Sequence, residues 1–290
     1  MRADELEYSY ILGWGMKKVL KGVAVALLGA APAYAADIYQ PPAAPPYVEQ
    51  PVAVVQTSGW YLRGDVGYAW NDLRGAHFFQ GSNGNLVDFD RAHLDDSYVL
   101  GGGVGYQINN YLRSDVTLDY LGEADFSGST SGSCGVAGNC VSTDIATMSA
   151  WSLLANAYVD LGTYGSFTPY LGAGIGGTRV KWGRLRNTSC DVTDPTNCDP
   201  TVEHDGEAKW RFTYALMAGT AVDLTCNLKA DVGYRFRHIN GGDMFGFNAG
   251  SGPGFDKDIY IHEARAGLRY SFGSPCEAAY VPPVEPIVYK

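Results

Sequence analysis

Eight stretches of the chain alternate apolar and polar residues with a period of two. From Leu228 to His238, Leu228, Ala230, Val232, Tyr234 and Phe236 share one face, while Lys229, Asp231, Gly233, Arg235 and Arg237 share the other. Successive strand side chains point to opposite faces, so such a stretch forms a strand with one apolar and one charged side. The apolar faces end in aromatic residues in nearly every stretch, which suits lipid better than a soluble core. Strands that cross a bilayer must close on themselves, because lipid offers no partner to a free edge. The pattern predicts an all-β fold over residues 59–273, an eight-stranded antiparallel transmembrane up-and-down β-barrel.

The predicted strands are 59–70, 96–107, 112–121, 145–161, 167–179, 210–224, 228–238 and 258–272. In the fifth, Gly alternates with apolar residues on both sides, so its two faces stay unassigned. Connections after the even-numbered strands are short (108–111, 162–166, 225–227), and those after the odd-numbered strands are long (near 71–95, 123–144, 180–209, 239–257). Barrels of the outer membrane keep short turns in the periplasm and long loops outside. Both termini are therefore expected in the periplasm.

The inward faces carry Arg63, Asp65, Arg113, Asp115, Asp119, Lys229, Asp231, Arg235, Glu263, Arg265 and Arg269. These charges either line a conduit or fill the lumen. Eight strands enclose little more space than their own side chains occupy. Paired charges in so narrow a space satisfy one another and block flow, so a structural plug is favoured over a pore.

The N-terminus changes where the chain is expected to go. Met16-Lys17-Lys18 reads as a basic n-region, Gly22–Ala31 as a short apolar region, and Ala33-Tyr34-Ala35 as a cleavage site between Ala35 and Ala36. Residues 1–15 fit no signal design, and Met16 is read as the start, with 16–35 the signal peptide. No run of 18 apolar residues offers a membrane-spanning helix. A proline-rich leader (36–58) and a tail (274–290) flank the barrel. Removing residues 1–35 takes four basic and three acidic residues from the 21 and 31 of the chain, so the net charge moves from −10 to −11. That balance argues against nucleic acid as a partner. The 37 Gly and 20 Tyr suit tight lumens and interfacial belts.

Six cysteines in an exported chain imply disulfides. The pairing 134–140, 190–198, 226–276 (Cys134, Cys140, Cys190, Cys198, Cys226, Cys276) keeps every bridge within one loop or one membrane side. Bridges between loops of the same rim remain sterically open.

The signal, the Ala-Asp start, the Pro-rich leader and Gly-Trp-Tyr-Leu-Arg-Gly-Asp-Val-Gly-Tyr in the first strand form a recognisable set. With Thr-Pro-Tyr-Leu-Gly-Ala-Gly-Ile-Gly and the closing Ala-Gly-Leu-Arg-Tyr-Ser-Phe, the chain resembles the small porin-family outer-membrane β-barrel proteins of alphaproteobacteria. The resemblance implies an assembly signal at Tyr270 and Phe272, read by the barrel assembly machinery, although the chain continues to Lys290. Family members with an Ala-Asp start are joined at that amine to the peptidoglycan stem, which the resemblance extends to Ala36.

Other motifs have plainer readings. His238 and His262 lie on the apolar face, with Glu263 on the opposite one, so no catalytic set forms and no enzyme is expected. Gly101-Gly102-Gly103-Val104-Gly105 precedes no helix and is no phosphate cradle. Asp191, Asp194, Asn197 and Asp199 match no calcium-loop spacing and read as a solvated turn. No cofactor or metal is expected. The expected partners are outer-membrane lipid and lipopolysaccharide, the assembly machinery and peptidoglycan. The function expected is a structural barrel supporting envelope integrity, with a small diffusion pore as the alternative and an external-loop adhesin or ligand binder as a third.

Overall fold

The computed structural model describes residues 58–80, 84–248 and 252–272. The signal, the leader and the tail, with Ala35, Ala36 and Cys276, lie outside the described residues.

Eight long strands carry the fold: β1 (Gly59–Leu73), β2 (Ser97–Gln107), β3 (Leu112–Ser129), β4 (Cys140–Asp160), β5 (Phe167–Trp182), β6 (Ala208–Asp223), β7 (Leu228–Phe245) and β8 (Gly254–Ser271). Each pairs antiparallel with its neighbours in sequence, and β8 pairs with β1 from Tyr61↔Ser271 to Leu73↔Ile259. The ring is closed, so none of these strands has a free edge within the membrane section. At the short-turn end, Asn109 Oδ1 accepts from the Tyr111 and Leu112 amides at 2.8 and 2.9 Å, which holds the β2–β3 turn.

The outward rows follow the sequence pattern. Trp60, Leu62, Val66, Tyr68 and Trp70 of β1 are all exposed, as are Trp151, Leu153 and Val159 of β4. Aromatic rings gather at both ends of this band: Trp60 with Tyr106 (5.3 Å) on one side, Tyr120 with Trp151 (4.9 Å) on the other. From Trp60 to Trp70 the strand rises about 33 Å, which at a tilt of about 40° spans about 25 Å, the height of an outer-membrane apolar band. The fifth strand resolves in favour of Leu171, Ala173 and Ile175 outward. Its inward Gly174 is required, because a side chain there would strike Asn156 Oδ1.

Several strands run further than the alternation predicted. β3 continues past residue 121 to Ser129, β4 begins at Cys140, and β7 reaches Phe245. In β3 the continuation is masked by a register shift in the β3–β4 pairing between Leu121 and Ala124. Such a bulge breaks the period of two. Beyond it the polarity inverts: Glu123, Asp125 and Ser127 face water while Ala124 and Phe126 turn inward and are buried. The ring there holds an apolar core that includes Leu73, Val99, Leu121, Phe126, Met148, Trp182, Ile239 and Ile261. Short strands in the long connections extend it, including Ala76–Gln80 against β8 and Leu185–Asp191 against β4. The molecule is lipid-facing below this level and built like a water-soluble protein above it.

Candidate functional site: the filled lumen

Inside the membrane section the inward side chains form ion pairs. Asp119 of β3 is the hub, with Arg235 at 2.6 Å, Arg265 at 2.8 Å and Arg237 at 2.9 Å. Glu263 of β8 meets Arg237 at 2.8 Å and Arg265 at 3.1 Å. Arg63 bridges Asp65 (2.7 Å) and Asp115 (3.0 Å). Asp115 also accepts from Tyr61 Oη at 3.1 Å and from Asn156 Nδ2 at 2.7 Å. Toward the short-turn end, Arg113 binds Asp160 at 3.1 Å and stacks on Tyr158 and Tyr170, while Arg269 faces Asp231 at 3.4 Å. Toward the long-loop end, Arg211 holds Asp256 at 2.6 Å, and Trp182 Nε1 donates to the same carboxylate.

The inward charges balance. Seven arginines (63, 113, 211, 235, 237, 265, 269) face seven carboxylates (65, 115, 119, 160, 231, 256, 263), each with a partner of opposite charge within 4 Å. A buried charge is tolerable only when paired and hydrogen-bonded, and here the interior is neutral. Gly101 makes this packing possible, since a side chain there would collide with Asp119 Oδ1 and Arg265 Nη2. The cavity beside Arg63, Tyr158 and Asp231 measures about 20 Å³, room for about one water.

The residues expected in the lumen stand there, with one correction. Lys229 belongs to the first residue pairs of the β6–β7 hairpin, and its Nζ reaches Asp223 at 2.7 Å, both side chains about one-third exposed. It decorates the short-turn rim, because a long flexible stem so near the strand's end reaches water. Arg237, on the charged face of its strand as expected, and Asp160 join the network, and the Arg211–Asp256 pair, absent from the expected set, completes it. Arg211 and Asp256 carry a readable sign: each sits between outward or solvent-facing neighbours, Trp210 and Phe212 for one, Phe255 and Lys257 for the other.

The remaining candidates are placed as follows. Cys134 is bonded to Cys140 and Cys190 to Cys198. Cys226 is disulfide-bonded; Cys276, expected to pair with it, lies outside the described residues. Tyr270 and Phe272 face outward with rings 5.4 Å apart, and the Phe272 amide donates to Trp60 O at 2.8 Å. His262 Nδ1 lies 2.5 Å from Tyr234 Oη, and Glu263 is turned away into the lumen. His238 Nε2 lies 3.6 Å from Asp258. The glycines from 101 to 105 lie within β2. In the third long loop, Asp191 and Asp194 accept from Thr193 and Thr196, and Asp199 accepts from the Gly135 amide at 2.8 Å. That last bond ties the two disulfide-bearing loops together. No group of three or more His, Cys, Asp or Glu able to share a metal ion occurs among the described residues.

Residues 22–272 match the family model of the outer membrane protein β-barrel domain. The chain belongs to this family. An uncharacterised protein of Brucella abortus (strain 2308) is 38% identical to this outer-membrane barrel over 258 residues, covering 78% of the chain and 89% of the relative. A putative adhesin of Rickettsia felis is 26% identical over 188 residues, covering 63% and 73%. Among solved structures it is similar to the outer membrane protein OprG from Pseudomonas aeruginosa, at 14% identity and a TM-score of 0.44 over 74% of this chain and 97% of that one. Family membership carries the Gram-negative outer membrane with it, and outer-membrane lipid and lipopolysaccharide as the surroundings of the outward rows.

Proposed function

We propose that this barrel is a structural element of the envelope, closed to solutes and joined to the cell wall through its N-terminal leader. The observation that supports the first half is the charge-balanced lumen, whose paired arginines and carboxylates cross the barrel interior and leave a cavity of about 20 Å³ beside Arg63 and Asp231. The diffusion-pore reading requires that path. The long loops are taken to face outward and both termini to lie in the periplasm, in keeping with the short 108–111, 162–166 and 225–227 turns at one end. Tyr270 and Phe272, the assembly signal that the family resemblance implies, then lie at the periplasmic end of the last strand.

The second half rests on the leader. Prolines at 41, 42, 45, 46 and 51 favour an extended leader, and 23 residues at about 3.1 Å each would span on the order of 70 Å. A tether of that length at the Ala36 amine is the proposal. Muramidase digestion of purified cell wall, followed by mass spectrometry, is expected to recover muropeptide attached to an Ala36-Asp37-Ile38 terminus. Recovery of unmodified Ala36 termini alone, with all of the protein extracted by detergent, would remove the tether. A second reading, attachment through the long-loop end, draws on the putative adhesins of Rickettsia among the relatives and on the tied loops described above.

A further inference from the structure

Eight Asp and Glu side chains are buried among the described residues. Seven have an arginine within 4 Å, and Asp144 does not. Asp144 lies on β4 well above the aromatic belt, seven residues beyond Trp151, and is 2% exposed. Its Oδ2 accepts from Ser142 Oγ and its Oδ1 from Asn187 Nδ2, each at 2.5 Å. Both donors are neutral. A carboxylate offers about four lone-pair positions, so these two bonds leave it half satisfied, and no arginine or lysine among the described residues pairs with it. Burial raises the pKa of its carboxyl, opposed by the hydrogen bonds from Ser142 and Asn187 and, less, by the nearby His204 ring.

This carboxylate borders a cavity of about 130 Å³ at the long-loop end. Phe78, Phe89 and Phe245 wall one part of it, and hydroxyls of Thr130, Ser142 and Ser189 wall another. Exposed Gln80, Ser131 and Ser133 form its rim. The volume is that of a single-ring molecule, close to the ~150 Å³ that accommodates benzene in an engineered core.

We propose that this cavity is a binding site for a small organic ammonium ion, with Asp144 as its counter-ion. An ammonium group brings a positive charge and further donors to a carboxylate whose two hydrogen-bond donors are neutral. Aromatic faces attract the same charge, and hydroxyls accept from or donate to polar substituents on the ring. A neutral polyol leaves the buried charge uncompensated. A divalent metal needs several oxygen ligands of higher charge, and Asp144 is the single carboxylate lining the cavity. The net charge of −10 attracts cations to the surface.

The test is calorimetric titration of the refolded mature chain in detergent micelles with glucosamine, glucose and tetramethylammonium as probes. Glucosamine is expected to saturate one site, with glucose binding about tenfold or more weaker. D144N is expected to lose about tenfold or more of the glucosamine affinity while keeping the electrophoretic shift of a folded barrel. If D144N fails to fold, F89L, which removes one aromatic wall, serves instead and is expected to weaken glucosamine several-fold. Equal affinity for glucose and glucosamine, binding that D144N and F89L leave unchanged, or no saturable binding of either cation overturns the proposal.

Discussion

Replacing Asp119 by Ala is expected to destabilise the folded barrel by about 3–5 kcal/mol, the usual cost of removing one partner from a buried ion pair. Asp119 accepts from three guanidiniums at 2.6–2.9 Å, and all three arginines are buried. Glu263 remains as a partner for Arg237 and Arg265, but Arg235 is left with no carboxylate within 4 Å. The lumen moves from neutral to one excess positive charge among buried side chains. Urea titration of the refolded protein in micelles, read by the gel shift between folded and unfolded forms, measures the loss. Lys229→Ala is the control. Its pair with Asp223 is about one-third exposed, and such pairs contribute about 0–1 kcal/mol. Equal effects of the two substitutions would contradict the network described here.

Phe126→Ala is expected to cost about 3–5 kcal/mol as well, by leaving a cavity in a packed core, but in a different part of the molecule. Phe126 is fully buried, with its ring 5.7 Å from Trp182 and 6.0 Å from Phe89. It belongs to the apolar core above the membrane, which shares no ion pair with the Asp119 hub. The long-loop extensions of β3 and β4 should therefore open while the lipid-facing section stays folded. Limited proteolysis is expected to cut near the 123–144 connection in F126A at protease concentrations that spare the parent chain. A variant that unfolds throughout in one transition would show that the two sections are not separable.

The reach of the sequence pattern has a physical boundary. Within the membrane, every strand must present apolar residues outward and polar ones inward, so Trp60 to Trp70 or Phe212 to Val222 announces its face in the order of residues alone. Charges on the inner face are legible for the same reason. Above the membrane the solvent changes, the bulge between Leu121 and Ala124 shifts the phase, and polarity inverts. A reading tuned to lipid-facing alternation stops there, which is why Phe126, Met148 and Ile239 were assigned to loops or strand ends rather than to a core. Pairing between distant strands was not legible either. Arg265 is 146 residues from Asp119 and 2.8 Å away in space, and only the closure of β8 on β1 brings them together. The ambiguous face of the fifth strand became decidable once Tyr158 and Asn156 were seen to occupy the space above its glycines.

Seven arginines and seven carboxylates, as proposed above, close the lumen. Single-channel recording of the purified mature protein in planar bilayers tests that closure most directly. A closed lumen predicts a silent bilayer at applied voltages up to the point of membrane breakdown, with insertion verified by protease protection. Reproducible conductance steps in the nanosiemens range, altered by neutralising Asp231 or Arg235, would contradict it.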